Sequence, residues 1–173
     1  MFSLLGMAEK LIAVGIETEV AIQLSVEKAA SLVRANARDA IGNADNGYGW
    51  APLAESTIAD KERQGYTTPA PLLRTGELRD SIGITMGHHV AWVGSNNDKA
   101  VWHEFGTNRI PPRPFISKPA IESEELIHKI AVNTVGMALA GHRAGVGVLE
   151  VLEAIKTGVE YVNQKLDEAE EKR

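Results

Sequence analysis

The sequence predicts an α+β fold, a small antiparallel sheet packed with a long N-terminal helix and long C-terminal helices. Three observations predict it. Residues 7–41 contain no proline and repeat their apolar residues at helical spacing. Residues 43–115 are broken by glycine and proline and hold two short strand-like runs. Residues 116–173 return to helical spacing.

In the first segment Leu11, Ile12, Ile16, Ile22, Val26, Ala30, Val33, Ala37 and Ile41 fall on one helical face. Glu9, Lys10, Glu17, Glu27, Lys28 and Arg38 lie mostly on the other. Gly42-Asn43 ends the pattern, as glycine commonly does past a last turn. At 1.5 Å per residue such a helix is about 50 Å long, more than the width of so small a domain. Part of its apolar stripe is therefore expected to meet something outside its own core, most simply a neighbouring subunit.

In the middle segment, Leu53 to Gln64 reads as a short polar helix. Tyr66 to Pro71 is extended, since each proline biases the residue before it away from the α region. Thr75 can cap a short helix with Glu77 near its positive end. Ser81–Met86 and Val90–Gly94 read as a hairpin turning at Gly87-His88-His89. Asp98 to Phe105 is one or two helical turns, and Ile110 to Phe115, with three prolines, is an extended connector.

In the last segment Ile116, Ala120, Ile127, Ala131, Val135 and Ala138 form a stripe on a helix over 117–140. Gly141 to Gly147 reads as a hinge. Val148, Leu152, Ile155, Val159, Val162, Leu166 and Ala169 then form a coiled-coil seam, followed by a charged tail. The seam is expected to pack antiparallel on the first helix; contact with another copy is the alternative. The 173 residues are read as one domain: helix 7–42, an α+β core at 43–116 and a helical region at 117–173 hinged near 141–147.

Composition narrows the function. With 44% hydrophobic and 24% charged residues the chain is globular rather than disordered. A chain of this length can bury roughly 70% of its unfolded surface. The absence of cysteine excludes a disulfide framework, a thiolate nucleophile and a thiolate metal site. A net charge of −5 is not the footprint of a nucleic-acid binder. No apolar run approaches the ~20 residues needed to span a bilayer. Met1 to Leu5 lacks a basic region, which disfavours a signal peptide. The expectation is a product made in the cytoplasm, away from the membrane.

No catalytic constellation emerges. His88, His103 and Glu104 are candidate metal ligands for a metal-dependent hydrolase. Adjacent His88 and His89 would point to opposite faces of a strand, however, and Thr107 stands where a helical two-histidine motif needs its second histidine. No metal and no cofactor are expected. No Gly-x-Ser-x-Gly elbow frames a serine, and Gly141–Gly147 lacks the ending of a phosphate loop. Trp92 and Trp102 are expected in the core between sheet and short helices, whereas Trp50 is balanced between core and partner contact.

Three segments, in order and spacing, carry a resemblance. They are Pro71 to Ile82 (Pro-Leu-Leu-Arg-Thr-Gly-Glu-Leu-Arg-Asp-Ser-Ile), Val93 to Asn96 with Ala100 to Thr107 (Ala-Val-Trp-His-Glu-Phe-Gly-Thr), and Ile110 to Ile116 (Ile-Pro-Pro-Arg-Pro-Phe-Ile). Trp50 to Leu53, followed by a helix and Gly65-Tyr66, fits the same pattern. Together they resemble the phage virion-morphogenesis and tail-completion family, which includes neck, tail-completion and minor tail proteins of tailed phages. The resemblance implies a non-enzymatic virion protein at the head–tail interface, made in the host cytoplasm. It would assemble as a homo-oligomeric ring, six-fold or alternatively twelve-fold, with other neck, connector and tail-tube proteins as neighbours. DNA would at most pass through the lumen without sequence-specific contact. A tail terminator, stopper or minor tail component is the alternative within the same particle.

The motif residues are Arg74, Thr75, Gly76, Leu78, Ser81, His103, Glu104, Phe105, Gly106, Thr107, Pro112, Arg113, Pro114 and Phe115. They are expected to hold the fold or to contact a partner subunit, the former residue by residue. Arg74 and Arg113 offer planar, bidentate partners to carboxylates, and Glu104 is a candidate partner. Gly76 and Gly106 permit positive φ or close approach. The Pro111 to Pro114 strut loses little entropy on ordering and should fix the helix that follows.

Overall fold

A proline-free, apolar-periodic segment should form one unbroken helix, and α1 runs from Leu4 to Ala40. The structure is a computed structural model that describes residues 4–45 and 47–143. After α1 come α2 (Glu55–Arg63), α3 (Glu77–Asp80), β1 (Ile82–Gly87), β2 (Val90–Ser95), α4 (Lys99–Phe105), α5 (Ser117–Glu122) and α6 (Glu124–Arg143). This is the expected α+β arrangement, with one two-stranded antiparallel sheet among the described residues. α6 continues through Gly141 to Arg143; the rest of the expected hinge and the Val148–Ala169 seam lie outside the described residues. Two compact units form, Glu27–Ile127 and, among the described residues, α1 up to Val26 with α6 from His128.

The core of the larger unit gathers Ala37, Ile41, Leu78, Ile82, Ala100 and Phe115, with Trp50, Leu72, Leu73, Val93 and Ile116 packed against it. Phe115 has no exposed surface. Burying a side chain of this size contributes about 1.5–3 kcal/mol. In the smaller unit, Ala21 and Ala138 are buried against each other's helices, with Leu24 and Val135 beside them.

The stripe read for α1 holds over Ala30, Val33, Ala37 and Ile41. Nearer the N-terminus the buried face rotates to Glu17, Ala21 and Ser25, and Leu11, Ile12 and Ile16 stand more than half exposed. Ala21 packs with Ala138 in this unit, and Leu11, Ile12 and Ile16 take no part in that cluster.

The hairpin pairs Ile82 with Ser95, Ile84 with Val93 and Thr85 with Trp92. It turns at His88-His89, whose rings lie 4.0 Å apart. Ile82, Ile84, Val93 and Ala91 share one face, and Trp92 and Val90 share the other with Gly83 and Gly87. Trp92 is therefore 59% exposed, and Trp102 on α4 is 51% exposed. This corrects the expectation that both lie in the core. The physical reason is alternation: a two-stranded sheet has one covered face, taken by Ile82 and Val93, while α4 turns Ala100 inward and Trp102 outward.

The helix expected over 117–140 is broken at Ser123. Its N–H is shared between the carbonyls of Pro119 (3.0 Å) and Ala120 (3.2 Å). Its Oγ donates to Pro119 O at 2.6 Å and accepts from Asn36 Nδ2 at 2.9 Å. Such back-bonding bends a helix. Glu124 and Glu125 then open α6, where carboxylates favour the positive helix end.

Past α1, Gly42 takes φ +94° and donates to Pro71 O at 2.8 Å. A Cβ there would lie 2.8 Å from Leu73 Cδ2. Gly42→Ala is expected to destabilise by about 1–3 kcal/mol, from left-handed backbone strain plus the forced shift of Leu73. Urea unfolding at pH 7 checks this; an unchanged midpoint would show that the junction is not constrained.

Candidate functional site

The segment after α4 is shaped by one tight approach. Gly106 takes φ +76°, and a Cβ there would sit 2.9 Å from both Ile110 O and Pro112 N. Thr107 N donates to Ile110 O at 2.8 Å, and Thr107 Oγ1 accepts from the amides of Arg109 (3.2 Å) and Ile110 (3.1 Å). Arg113 N then donates to His103 O at 2.7 Å, which docks the proline strut on the last turn of α4.

Glu104 completes the junction. Its Oε2 accepts from Phe115 N at 2.9 Å and Ile116 N at 3.1 Å, and its Oε1 from Ser117 N at 2.9 Å. A carboxylate from α4 thus caps the N-terminus of α5, where amides lack helical partners. This corrects the expected pairing of Glu104 with Arg74 or Arg113. The three amides are held at the end of a stiff strut and need an acceptor, so they take both carboxylate oxygens.

The arginines go elsewhere. Arg74 pairs with Asp60, and its Cζ lies 5.3 Å from the Tyr66 ring centre. Hydrogen bonds from Gln64 and then Arg74 hold the Asp60 carboxyl below the usual carboxylate range. Arg113 is 6% exposed, and its Nη2 donates to the carbonyls of Ala51 (2.9 Å) and Pro52 (3.3 Å). Its Nε is buried without a partner. Lys61, 4% exposed, donates to Ala70 O at 2.6 Å and Leu73 O at 2.9 Å. Desolvation lowers the pKa of both cations, and the Arg74 charge adds to the shift of Lys61.

The other motif residues fall into place around these. Gly76 takes φ +88° ahead of α3, and Thr75 Oγ1 stands 3.5 Å from Glu77 N, a long contact. Leu78 is in the core. Ser81 Oγ reaches Leu78 O (2.7 Å) and Ser95 Oγ (2.6 Å), joining the strand ends. Pro112 is exposed and Pro114 half-buried. Phe105 is 76% exposed.

Between α2, the 70–78 segment and the 109–113 segment lies a groove of about 450 Å³. Pro52, Leu53, Leu72, Leu73, Ile110 and Pro111 supply apolar walls. Lys61, Arg74, Lys99, Arg109 and Arg113 supply positive charge, against the carboxylate of Glu77. His103 also lines it, with Nδ1 buried and without a partner. Desolvation, then the charges of Arg113 and Lys99, lower its pKa. The sequence reading missed Lys61 and Asp60. Its available signal was spacing, because Lys61 lies one turn beyond Ile58, the large apolar residue of α2.

His88, His103 and Glu104 do not gather as metal ligands among the described residues. His88 is in the hairpin turn, and both Glu104 oxygens serve backbone amides.

A family model described as the phage virion morphogenesis family matches residues 6–135. The chain belongs to the phage virion morphogenesis family. The match takes in every element from α1 to α5 and most of α6, so the motif segments, the Glu104 cap and the cationic groove all lie inside it. Neither the curated proteins nor the solved structures gave a match. Membership in the phage virion morphogenesis family assigns the chain to building the phage particle. No helix among the described residues is long and apolar enough to cross a membrane.

In this family member Glu104→Ala is expected to cost about 2–4 kcal/mol, because three amides lose a charged acceptor at once. Glu104→Gln, which keeps one acceptor oxygen, should cost less. Chemical denaturation of both variants decides it, and equal losses would deny the cap its role. A second expectation concerns pH. A His103 pKa lowered below 6.5 means the unfolded chain takes up a proton that the folded chain refuses. The contribution is fully present above the unfolded value and shrinks as pH falls below 6.5 toward the folded value. The Tm of His103→Gln should therefore fall less than that of the wild type between about pH 6.5 and 5. Parallel curves would mean that His103 does not titrate differently on folding.

Proposed function

We propose that this chain is a structural virion protein rather than an enzyme, acting where the phage tail is completed or joined to the head. It closes into a homo-oligomeric ring, six-fold by analogy with tail symmetry and twelve-fold as the next choice. Its neighbours are other neck, connector and tail-tube proteins, and DNA passes through the lumen without sequence-specific contact.

The observation that carries this reading is the exposure of Trp92, Trp102 and Phe105 in a chain with three tryptophans and three phenylalanines. Large aromatics left in water forgo about 25 cal/mol per Å² of apolar area that an interface would recover. They are also the side chains most often found as interface anchors. Leu11, Ile12 and Ile16 form a second exposed apolar set, on α1 in the other unit. A ring needs two different surfaces on each copy, meeting head to tail until the rotation closes. The two sets are candidates for those surfaces.

Light scattering over a range of concentrations, with negative-stain images of the same samples, tests the reading. The expected result is a discrete oligomer with a central hole, and a monomer for Trp102→Glu with Phe105→Glu at unchanged far-ultraviolet circular dichroism. A wild-type chain that stays monomeric and is also missing from purified particles by mass spectrometry would sink the proposal.

A further inference from the structure

The cationic groove calls for an occupant of its own, independently of whether the chain forms a ring. Two of its five cations are locally balanced: Arg74 pairs with Asp60, and Lys99 stands 3.5 Å from Glu77. Lys61, Arg109 and Arg113 have no ion-pair partner among the described residues. Lys61 and Arg113 are more than nine-tenths buried, so water screens their charge poorly, and backbone carbonyls offer dipoles without a counter-charge. The chain as a whole carries −5, yet this one concavity is positive. Low-dielectric walls focus such a field on whatever enters.

The walls narrow the chemistry further. Leu72, Leu73, Ile110 and Pro111 give an apolar lining to a space of about 450 Å³, within the range of small-ligand and peptide sites. A DNA duplex, whose phosphates lie on a convex surface, is a poor match for a concavity of this size. Duplex binding also calls for a long basic track on a basic domain. An extended peptide matches both features, since alternate side chains point to opposite sides and can set an apolar group beside a carboxylate.

We propose that this groove receives an extended acidic segment of a partner protein. One carboxylate faces Arg109 and the buried charge of Arg113, and a neighbouring apolar side chain lies over Leu72 and Leu73. Arg109 is the residue to change. It is exposed, and it donates to Thr107 Oγ1 through its backbone amide, so the fold does not depend on its side chain.

The test uses the full chain and a fluorescein-labelled octapeptide alternating leucine with glutamate, beside the same peptide with glutamine replacing glutamate. Anisotropy at low salt should show saturable binding of the acidic peptide and at least ~tenfold weaker binding of the glutamine form. Arg109→Glu should weaken the acidic peptide by a similar ~tenfold at unchanged Tm, and salt should weaken it further. Amide shifts in NMR spectra should cluster at residues 61, 70–74 and 109–113. Equal binding of the two peptides, shifts mapped elsewhere, or no binding at millimolar peptide would each overturn the proposal. So would displacement of the peptide by a DNA oligonucleotide at lower concentration, which would make this a phosphate site.

Discussion

The arrangement of the larger unit depends on one carboxylate. Glu104 takes three consecutive amides at the start of α5, and in doing so joins α4, the end of the proline strut and α5. Phe115 sits at that junction with no exposed surface, so the same backbone that the carboxylate holds also delivers the largest wholly buried side chain among the described residues to the core. The first amides of a helix lack partners within it, and a charged acceptor forms stronger bonds with them than a neutral one. Gly106 makes the geometry possible, because a side chain there would collide with the backbone of Ile110 and Pro112.

The loops flanking α2 solve the same problem with the opposite charge. Among the described residues, the chain between α1 and α2 and the chain between α2 and α3 lie outside helix and strand. Buried cations collect their carbonyls instead, Arg113 at Ala51 and Pro52, and Lys61 at Ala70 and Leu73. The groove's positive charge follows from this way of satisfying backbone. Anything that binds there meets charges already placed and held by the fold, which is the condition for low reorganisation on binding.

Family membership and exposed surface describe the same molecule at different scales. The phage virion morphogenesis match covers the elements that build the core and the groove. The exposed aromatics of β2 and α4 and the exposed apolar residues of α1 are what that core leaves uncovered. Small domains have little interior to spare, so residues such as Trp92 and Phe105 stay outside unless another chain covers them.

Much of the fold was legible because it rests on local rules. Helical periodicity and the Gly42 stop placed α1; alternation and the histidine turn placed the hairpin to within a residue; the prolines placed the strut. Gly76 and Gly106 were readable as positive-φ positions because no other residue adopts that backbone so easily. The tertiary structure alone decided which carboxylate meets which donor. Glu104, Arg74 and Arg113 invite each other on paper, yet each found a partner set by distance in space: three amides, Asp60, and two carbonyls. It also decided which face of α4 and β2 is covered, and that Lys61 is buried. Periodicity names a face of an element, but only packing says whether anything lies against it. Pairing of long polar side chains depends on contacts between segments far apart in the chain, which no local pattern encodes.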